Sequence, residues 1–457
     1  MLEIDYNQKF RTFFKKFEEK YKKATTKDEK DFLWDLAVEY IEKNRDFIMQ
    51  YPLASYWNKI DLPLAPSLIR SGNNKDTSQK EVKNFLEEYN NKDVNLYFHI
   101  PFCKTKCSYC NFHIVVWENK KNLLTQIYLT KLKKEIDFFV ENVSDFNIKT
   151  IFIWGWTPSF LNEEELKDLL SYINKKLWKY FSNDLEFCFE WNPDSFNEKK
   201  LKILKNHSIN RLSFGVQTFN NDILKKVNRT HLDKNTIELV KLSKKLWFDN
   251  INIDMLYWLP GHTEEIMQKD LEIISKLDIE HITYYPLYKY EESILWKINK
   301  KENNYKNIYN FYDKIIEKLG QNGFKQYWRE YFCKNNKISN YQSNFLSNSY
   351  VYWFWQSANS FSQKYVFRKE TDLNKYLEKT HNIVEYFEYD KQTFDRRLFI
   401  LWSRHIKIQK NNIKKVANIE KVISMCIYFK LLIEHDTYYK VSKKGLKYQE
   451  VLSHLFV

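Results

Sequence analysis

The decisive stretch of this chain reads Leu96-Tyr97-Phe98-His99-Ile100-Pro101-Phe102-Cys103-Lys104-Thr105-Lys106-Cys107-Ser108-Tyr109-Cys110. Its first five residues are mostly apolar or aromatic, which is typical of a buried strand, and the proline that follows ends that strand. The loop beyond it carries three cysteines, with three residues between the first pair and two between the second. Soft thiolate ligands gathered on one loop suit an iron–sulfur cluster or zinc.

A cluster or a closed zinc site held by cysteines alone requires one more thiolate than this loop offers. We therefore expect Cys103, Cys107 and Cys110 to hold three corners of a [4Fe–4S] cluster and to leave its remaining iron open to a group that is not protein. The residues leave an alternative open, which is a zinc site with His113 as fourth ligand, or a chance group of thiols.

The cysteine spacing resembles the signature of the radical S-adenosylmethionine (SAM) superfamily. With Tyr97, the run from His99 to Cys103 and Tyr109, the stretch is similar more narrowly to the oxygen-independent coproporphyrinogen III oxidase family, which includes a heme-chaperone branch. The resemblance implies that the open iron binds the amino and carboxylate groups of SAM. It implies further that an electron from the cluster cleaves SAM to methionine and a 5′-deoxyadenosyl radical, and that a donor such as a flavodoxin or ferredoxin supplies the electron.

The composition indicates a globular chain with a sizeable core. Its 457 residues are 43% hydrophobic, which suffices for one large domain with appendages. No apolar run is long enough to span a bilayer, no signal-peptide pattern opens the chain, and the six cysteines do not read as a disulfide framework, so we expect a cytoplasmic protein. The net charge of +14 permits a nucleic-acid partner, but the lysines are dispersed and a coding sequence rich in A and T explains their number, so we do not expect one.

Short β-branched or aromatic runs alternate with longer amphipathic stretches between residues 95 and 290. The pattern predicts strands at 95–100, 149–154, 185–191, 209–216, 250–258 and 281–287, and helices over Leu124–Val140, Glu163–Leu177 and Ile223–Leu246. Repeated βα units predict a parallel sheet. We therefore expect an α/β fold, a partial (β/α)6 barrel, with its chemistry at the carboxyl ends of the strands.

This pattern divides the chain into a core and its appendages. We expect a helical N-terminal extension at 1–90, a radical SAM barrel core at 91–300, a barrel-completing segment at 301–374, and a small helical, winged-helix-like C-terminal domain at 375–457. The last of these resembles the small domain that covers the barrel mouth in the family. The sequence assigns no function to the N-terminal extension.

The SAM-binding motifs of the family recur after the predicted strands, in the order that the family has them. The second strand is followed by Trp154-Gly155-Trp156-Thr157-Pro158-Ser159, where the family has a glycine-rich turn against the SAM amino group. Further matches are Glu190-Trp191-Asn192-Pro193, the runs 211–219 and 252–261, and Arg229-Thr230-His231. The resemblance implies that the cofactor site consists of Tyr97, Trp154, Gly155, Trp156, Thr157, Glu190, Gln217, Arg229 and Asp254.

Tryptophan stands where glycine is expected. The chain has seven glycines beside fourteen tryptophans, whereas an average chain of this length carries roughly thirty glycines at about 7% usage. The family has glycine at the positions of Trp154, Trp156, Trp258, Trp353 and Trp355, and we also expect glycine at those of Trp247 and Trp402. An indole cannot replace a glycine that lets the backbone touch a ligand. We hypothesise that many of these residues are UGA codons read as glycine in the source lineage, a reassignment known in some bacteria. The alternative is a protein that does not bind SAM.

Two departures from the family pattern bear on the substrate. The decarboxylating branch has a further cysteine where this chain has Phe112, which favours the heme-chaperone branch. That branch carries a His-Asn-x-x-Tyr-Trp heme-binding motif, and the aligned stretch, 341–346, has no histidine. Three functions stay open. They are a radical SAM oxidoreductase, coproporphyrinogen dehydrogenase-like, that acts on a tetrapyrrole; a heme-trafficking protein with heme as a further ligand; and a radical SAM enzyme that modifies RNA.

Overall fold

The structure is a computed structural model that describes residues 12–43, apart from 14, 15 and 18, and residues 79–449. The gaps in the second range are 111–114, 117–121, 156, 196, 288–292, 299–304, 348, 357, 379–382, 390, 403–404 and 414–418. Two compact units make up the chain. They are Met1–Ile69 with Lys301–Lys306 and Tyr389–Val457, and Arg70–Lys300 with Asn307–Glu388. The four segments expected from the sequence divide the chain differently and remain a prediction.

The strands in chain order are β1 (Asp93–Ile100), β2 (Phe102–Cys103), β3 (Val115–Val116), β4 (Asn147–Gly155), β5 (Phe181–Trp191), β6 (Arg211–Gln217), β7 (Ile251–Tyr257), β8 (His281–Pro286), β9 (Lys325–Gln326), β10 (Tyr331–Cys333), β11 (Tyr350–Phe354), β12 (Asn359–Phe361), β13 (Tyr365–Lys369), β14 (Ile383–Glu388), β15 (Lys407–Gln409), β16 (Leu432–Glu434) and β17 (Tyr438–Val441). The helices are α1 (Lys27–Lys43), α2 (Gln79–Glu87), α3 (Asn122–Asn142), α4 (Glu163–Leu177), α5 (Glu198–Asn206), α6 (Asn221–Lys226), α7 (Asp233–Lys245), α8 (Glu264–Lys276), α9 (Ile294–Ile298), α10 (Tyr305–Gln321), α11 (Asn340–Leu346), α12 (Leu373–Glu378), α13 (Lys391–Trp402), α14 (Lys410–Ile413), α15 (Ile419–Tyr428) and α16 (Lys443–Lys447).

The larger unit is built on one twelve-stranded sheet in the order β14-β13-β12-β11-β1-β4-β5-β6-β7-β8-β10-β9. The seven strands from β11 to β8 pair in parallel, and the strands beyond them on both sides pair antiparallel. All six predicted strands are present, and the predicted α/β class with a parallel βα core is confirmed. Strand β11 adds a parallel strand that the sequence pattern did not reveal, and it lies in the segment expected to complete the barrel.

Helix α4 illustrates why the sequence pattern predicted the βα units. Its buried residues recur three and four positions apart and form the apolar stripe that packs onto the core: Leu166, Leu169, Leu170, Ile173 and Leu177. Its first turn is closed by a capping box, in which the Asn162 side chain accepts from the Glu165 backbone and the Glu165 side chain accepts in return. The helix begins and ends at the residues predicted.

The single helical stretch predicted over Ile223–Leu246 is wrong, because two helices, α6 and α7, replace it. Asn228 adopts a left-handed backbone (φ 59°), which ends the first helix. The break is held by β6 and by the turn after β5, since His231 Nε2 lies 3.1 Å from the Val216 carbonyl oxygen and the Thr230 hydroxyl donates to Asp194. The turn between α6 and α7 therefore places Arg229 at the strand ends.

The smaller unit combines helices with the three-stranded antiparallel sheet β15-β17-β16. Helix α1 contributes Leu33, Trp34 and Ala37 to a core shared with residues 408–446, so N-terminal and C-terminal residues form one hydrophobic cluster. Aromatic residues of the N-terminal extension recur at the spacing of one helical face; of these Phe17 and Tyr21 also pack there, whereas Phe10 and Phe14 lie outside the described residues. Across the described ranges, no helix has the length and apolar character needed to cross a bilayer.

Two tryptophans adopt left-handed backbone conformations that L-residues rarely take. Trp247 has φ 63° and follows α7, where its N–H donates to Lys244 O (2.9 Å) and the next N–H, of Phe248, donates to Ser243 O (3.1 Å). These two hydrogen bonds form a Schellman motif, whose left-handed residue is usually glycine. Trp258 has φ 68° directly after β7. Both residues therefore occupy conformations that glycine adopts without strain.

Candidate cofactor site

The cysteine loop begins at the carboxyl end of β1 and is fastened to the end of α6. Cys103 closes β2, which pairs in parallel with β3. The Ser108 N–H donates to the Val227 carbonyl oxygen (3.0 Å), and the Asn228 side-chain amide donates to the Lys106 carbonyl oxygen (2.7 Å). Backbone groups on both sides of Cys107 are thus held by the turn that carries Arg229.

The three loop cysteines are outside any disulfide and have different surroundings. Cys103 is buried, with its Sγ 3.2 Å from the Thr157 hydroxyl, and Cys107 receives a hydrogen bond from Arg229 Nη1 at 3.8 Å. Burial raises the pKa of Cys103 to about 12, although the hydrogen bond with Thr157 opposes the rise. In the part of the chain that the structure describes, no three metal-ligating side chains form a group that could hold a metal ion. The assignment of Cys103, Cys107 and Cys110 as cluster ligands stays a prediction.

Arg229 joins the cysteine loop to two strand ends. Its guanidinium group contacts Cys107 and donates through Nη2 to Asn192 Oδ1 (3.3 Å) and to the Gly215 carbonyl oxygen. Asn192 directly follows β5, and Gly215 lies near the end of β6. The Nε atom of Arg229 is buried and has no hydrogen-bond partner. The arrangement therefore holds a cation with a spare donor at the carboxyl ends of the sheet.

Two carboxylates lie on strands of the parallel sheet, Glu190 near the end of β5 and Asp254 in the middle of β7. Glu190 Oε2 is buried and accepts no hydrogen bond. Burial and then the charge of Asp254 raise the pKa of Glu190 well above its usual value. Asp254 accepts from Ser213 Oγ (2.8 Å) and from the Asn252 side-chain amide (3.0 Å), while burial raises its pKa. Two carboxylates and one guanidinium group can together receive both charges of a zwitterion.

A group of aromatic rings fills the sheet interior beside these polar residues. Tyr97 packs on Trp353 (ring centroids 4.9 Å apart) and on Trp154 (6.0 Å), and its hydroxyl lies 2.8 Å from His99 Nδ1. Buried Tyr341, which stands in the stretch aligned with the heme-binding motif, accepts a hydrogen bond from Trp353 Nε1 at 2.9 Å. The indoles of Trp154 and Trp353 therefore occupy space next to Tyr97.

The middle of the expected SAM turn admits no side chain. Gly155 has φ 127°, and a Cβ atom there would lie 2.5 Å from the carbonyl oxygen and 2.7 Å from the nitrogen of Ile100. Because β4 passes this close to the end of β1, only glycine fits. Trp156, His113 and Phe112 lie outside the described residues.

The predicted site residues form two neighbouring sets. Thr157 is joined to Cys103, and Arg229 to Cys107, while Gln217 lies beside Gly215 with a left-handed backbone (φ 71°). Tyr97 and Trp154 belong to the aromatic group. The prediction missed Asn192 as a partner of Arg229, although it follows Glu190 by two residues within a quoted motif.

Comparisons with known proteins agree with this geometry. The profile of the radical SAM superfamily matches residues 97–274. The chain is 30% identical over 381 residues to the heme chaperone HemW of Buchnera aphidicola subsp. Acyrthosiphon pisum, which covers 80% of this chain and 98% of that protein. It is 29% identical over 194 residues to the oxygen-independent coproporphyrinogen III oxidase of Helicobacter pylori J99, covering 42% of each chain.

A solved structure shares the fold. The coproporphyrinogen III oxidase HemN from Escherichia coli, a radical SAM enzyme, superposes with a TM-score of 0.72 at 18% identity, over 83% of this chain and 93% of that one. The recognition made from the cysteine spacing and the strand-end motifs is confirmed. The chain belongs to the radical SAM superfamily, in the family of HemW and the oxygen-independent coproporphyrinogen III oxidases.

Proposed function

We propose that this chain is a radical SAM protein of the heme-chaperone type, which binds a [4Fe–4S] cluster and SAM and handles a tetrapyrrole. The observation that carries the proposal is the junction made by Arg229, which contacts Cys107 of the cysteine loop, Asn192 after β5 and Gly215 of β6. A half-buried cation at this point supports an anionic cluster of thiolates on one side and the carboxylate of a ligand on the other.

Residue chemistry fits both cofactors. Cys103, Cys107 and Cys110 offer soft sulfur donors on one loop, and the uncommitted Glu190 Oε2 and Arg229 Nε are buried polar atoms without partners. Such atoms are costly unless a ligand or water satisfies them. Glu190 and Asp254 would receive the SAM amino group, and Arg229 with Gln217 would receive its carboxylate and neighbouring polar atoms. When bound, cluster and SAM supply one-electron reductive cleavage of the sulfonium.

The tryptophans are the part of the site that does not suit SAM. Trp154 lies in the aromatic group with Tyr97, and Trp258, with its left-handed backbone, is part-buried against Leu259 and Leu287. Glycine at 154, 156 and 258 would clear the turn for a ligand, in keeping with the hypothesis of reassigned UGA codons.

The heme-chaperone branch is favoured over decarboxylation for two reasons. Phe112 replaces the further cysteine of the decarboxylating branch, and the HemW relative is matched over almost its whole length. Heme is not expected at residue 341, because Tyr341 is buried and its hydroxyl is engaged by Trp353. Oxidative decarboxylation of coproporphyrinogen is the second candidate, supported by the sequence match to the H. pylori oxidase.

Anaerobic reconstitution tests the proposal. The full chain and its variant with Trp154→Gly, Trp156→Gly and Trp258→Gly are incubated with iron, sulfide, dithionite and SAM. We then measure SAM binding, 5′-deoxyadenosine, heme uptake and coproporphyrinogen consumption, each with and without added tRNA. Stoichiometric heme uptake without consumption of coproporphyrinogen supports a heme chaperone, and 5′-deoxyadenosine release coupled to that consumption supports the oxidase. Activity that requires added tRNA, or absence of SAM binding in both proteins, would contradict the proposal.

A further inference from the structure

A carboxylate lies on the apolar face of α8. The buried residues of that helix are Met267, Asp270, Leu271 and Ile274, which places an acidic side chain within the stripe that packs on the sheet. Asp270 is 1% exposed. Because burial of an unpaired carboxylate costs several kcal/mol, the groups that contact Asp270 must compensate for its loss of hydration.

Its hydrogen-bond partners are the residues of one turn, directly after β6, and buried His262 lies beside it with Nε2 3.6 Å from Asp270 Oδ2. Asp270 Oδ2 accepts from the Thr218 hydroxyl (2.7 Å), and Oδ1 accepts from the Phe219 backbone N–H (2.8 Å). The Thr218 hydroxyl in turn accepts from the Asn220 N–H (3.1 Å), and the Asn220 side chain caps α6 by accepting from Ile223 N–H. One carboxylate thus orders the whole connection from β6 to α6.

The turn begins at Gln217, a residue in a strained conformation. Gln217 has φ 71°, and the register between β6 and β7 shifts between Gly215 and Gln217. The Thr218 N–H donates to the Val216 carbonyl oxygen (2.9 Å), which makes the reversal tight. A left-handed conformation costs a residue with a side chain about 1–2 kcal/mol, and it persists only where the surroundings enforce it. Asp270 accepts hydrogen bonds from the two residues that follow Gln217, Thr218 and Phe219.

Gln217 faces the junction described above. A Cβ atom at Gly215 would lie 3.3 Å from Gln217 Nε2 and 3.2 Å from Arg229 Nη2, so the Gln217 amide and the Arg229 guanidinium group flank the same point. We infer that Asp270 is a positioning residue for the SAM site: through Thr218 and Phe219 it fixes the left-handed Gln217 so that its amide is presented to the ligand beside Arg229. The inference rests on the proposed function and names a residue that does not itself contact the ligand.

Four single variants separate positioning from mere folding. Asp270→Asn weakens both hydrogen bonds, Thr218→Val removes one, and Thr218→Ser keeps the hydroxyl. The matched control is Glu280→Gln, since Glu280 is also buried and accepts from a backbone N–H, that of Ile251 at 3.0 Å, but at the amino end of β7. Each substitution is made in the protein that binds SAM, which is either the unsubstituted chain or the triple glycine variant. We measure the iron content, the SAM dissociation constant by equilibrium dialysis, and the change of the cluster EPR spectrum on SAM addition.

We expect Asp270→Asn and Thr218→Val to weaken SAM binding about tenfold and to reduce the SAM-induced EPR change at unchanged iron content. Thr218→Ser should retain the parent affinity, and Glu280→Gln should keep it even where it lowers the unfolding temperature. Parent-like SAM affinity in Asp270→Asn and Thr218→Val overturns the inference alone, as does an equal loss in Glu280→Gln. If neither parent binds SAM, the proposed function fails and the inference fails with it.

Discussion

The left-handed backbone of Trp247 makes a quantitative prediction about stability. Its side chain is 83% exposed and its φ is 63°, so replacement by glycine removes little burial and relieves the conformational cost of a left-handed L-residue. That cost is about 1–2 kcal/mol, and a glycine loses somewhat more chain entropy on folding. We therefore expect Trp247→Gly to raise the free energy of unfolding by about 1 kcal/mol.

Trp178 provides the matched control. It is also exposed, at 66%, but its backbone is right-handed helical, with φ −54° and ψ −37°. Glycine in such a position destabilises by roughly 0.5–1 kcal/mol, so Trp178→Gly should change stability in the opposite direction.

Urea unfolding followed by far-UV circular dichroism measures both variants without depending on tryptophan fluorescence. A thermal scan followed by the same signal should show the midpoint of Trp247→Gly raised by about 2 °C for an unfolding unit of about 200 residues. A Trp247→Gly variant that is less stable than the parent, or equal in stability to Trp178→Gly, refutes the argument from the Schellman motif.

The coding sequence tests the hypothesis of reassigned UGA codons separately, because UGG codons at positions 154, 156 and 258 would end that hypothesis.

Other positions give predictions of different kinds. Gly155→Ala places a Cβ atom 2.5 Å from the Ile100 carbonyl oxygen, so it should lower the free energy of unfolding by at least ~2 kcal/mol in urea titrations. Gly320→Ala is the control, because no atom lies within 4 Å of the new Cβ, and it should be neutral or stabilising. Equal effects of the two variants would contradict the close approach of β4 to Ile100. Burial raises the pKa of Asp270 to about 7 from 3.8 and lowers that of His262 to about 4 from 6.5, so their contributions to the pH dependence of stability oppose each other between about pH 4 and 6.5. Over that window the stability of Asp270→Asn relative to the parent should rise with pH and that of His262→Gln relative to the parent should fall with pH, each by up to ~1.4 kcal/mol per pH unit. Differences of the same sign in urea titrations would show this assignment to be wrong.

Local patterns predicted the elements of the fold well, because each depends on neighbours in sequence. The apolar stripe and the cap of α4 are both written within sixteen residues, from Asn162 to Leu177, and its bounds were correct. Strand β11 was not predicted, since its parallel pairing with β1 joins residues 256 positions apart in the chain, as for Val94 and Tyr350. The break at Asn228 was missed because a left-handed residue and tertiary hydrogen bonds, rather than periodicity, interrupt the helix.

The candidate site also combines features that depend on neighbours in sequence with features that depend on the folded chain. The cysteine loop and the strand-end motifs were visible as spacings, whereas the junction of Arg229 with Asn192 and Cys107 exists only once β5, α6 and the loop are brought together. Asp270 had a signal that was not used, which is an acidic residue on the apolar face of an amphipathic helix.

We propose that Cys103, Cys107 and Cys110 hold an iron–sulfur cluster with one iron open to SAM. The direct measurement is iron and sulfide analysis with EPR of the anaerobically reconstituted, dithionite-reduced chain. It is repeated for an alanine variant of each cysteine and for Cys333→Ala, a buried cysteine in β10 outside the loop. We expect about four iron ions and four sulfides per chain and an EPR signal that changes on addition of SAM in a protein that binds it. The cluster should be lost in each loop variant and retained in Cys333→Ala. Undiminished cluster loading after replacement of any of the three loop cysteines, or a parent chain that binds zinc and no iron–sulfur cluster, would contradict it.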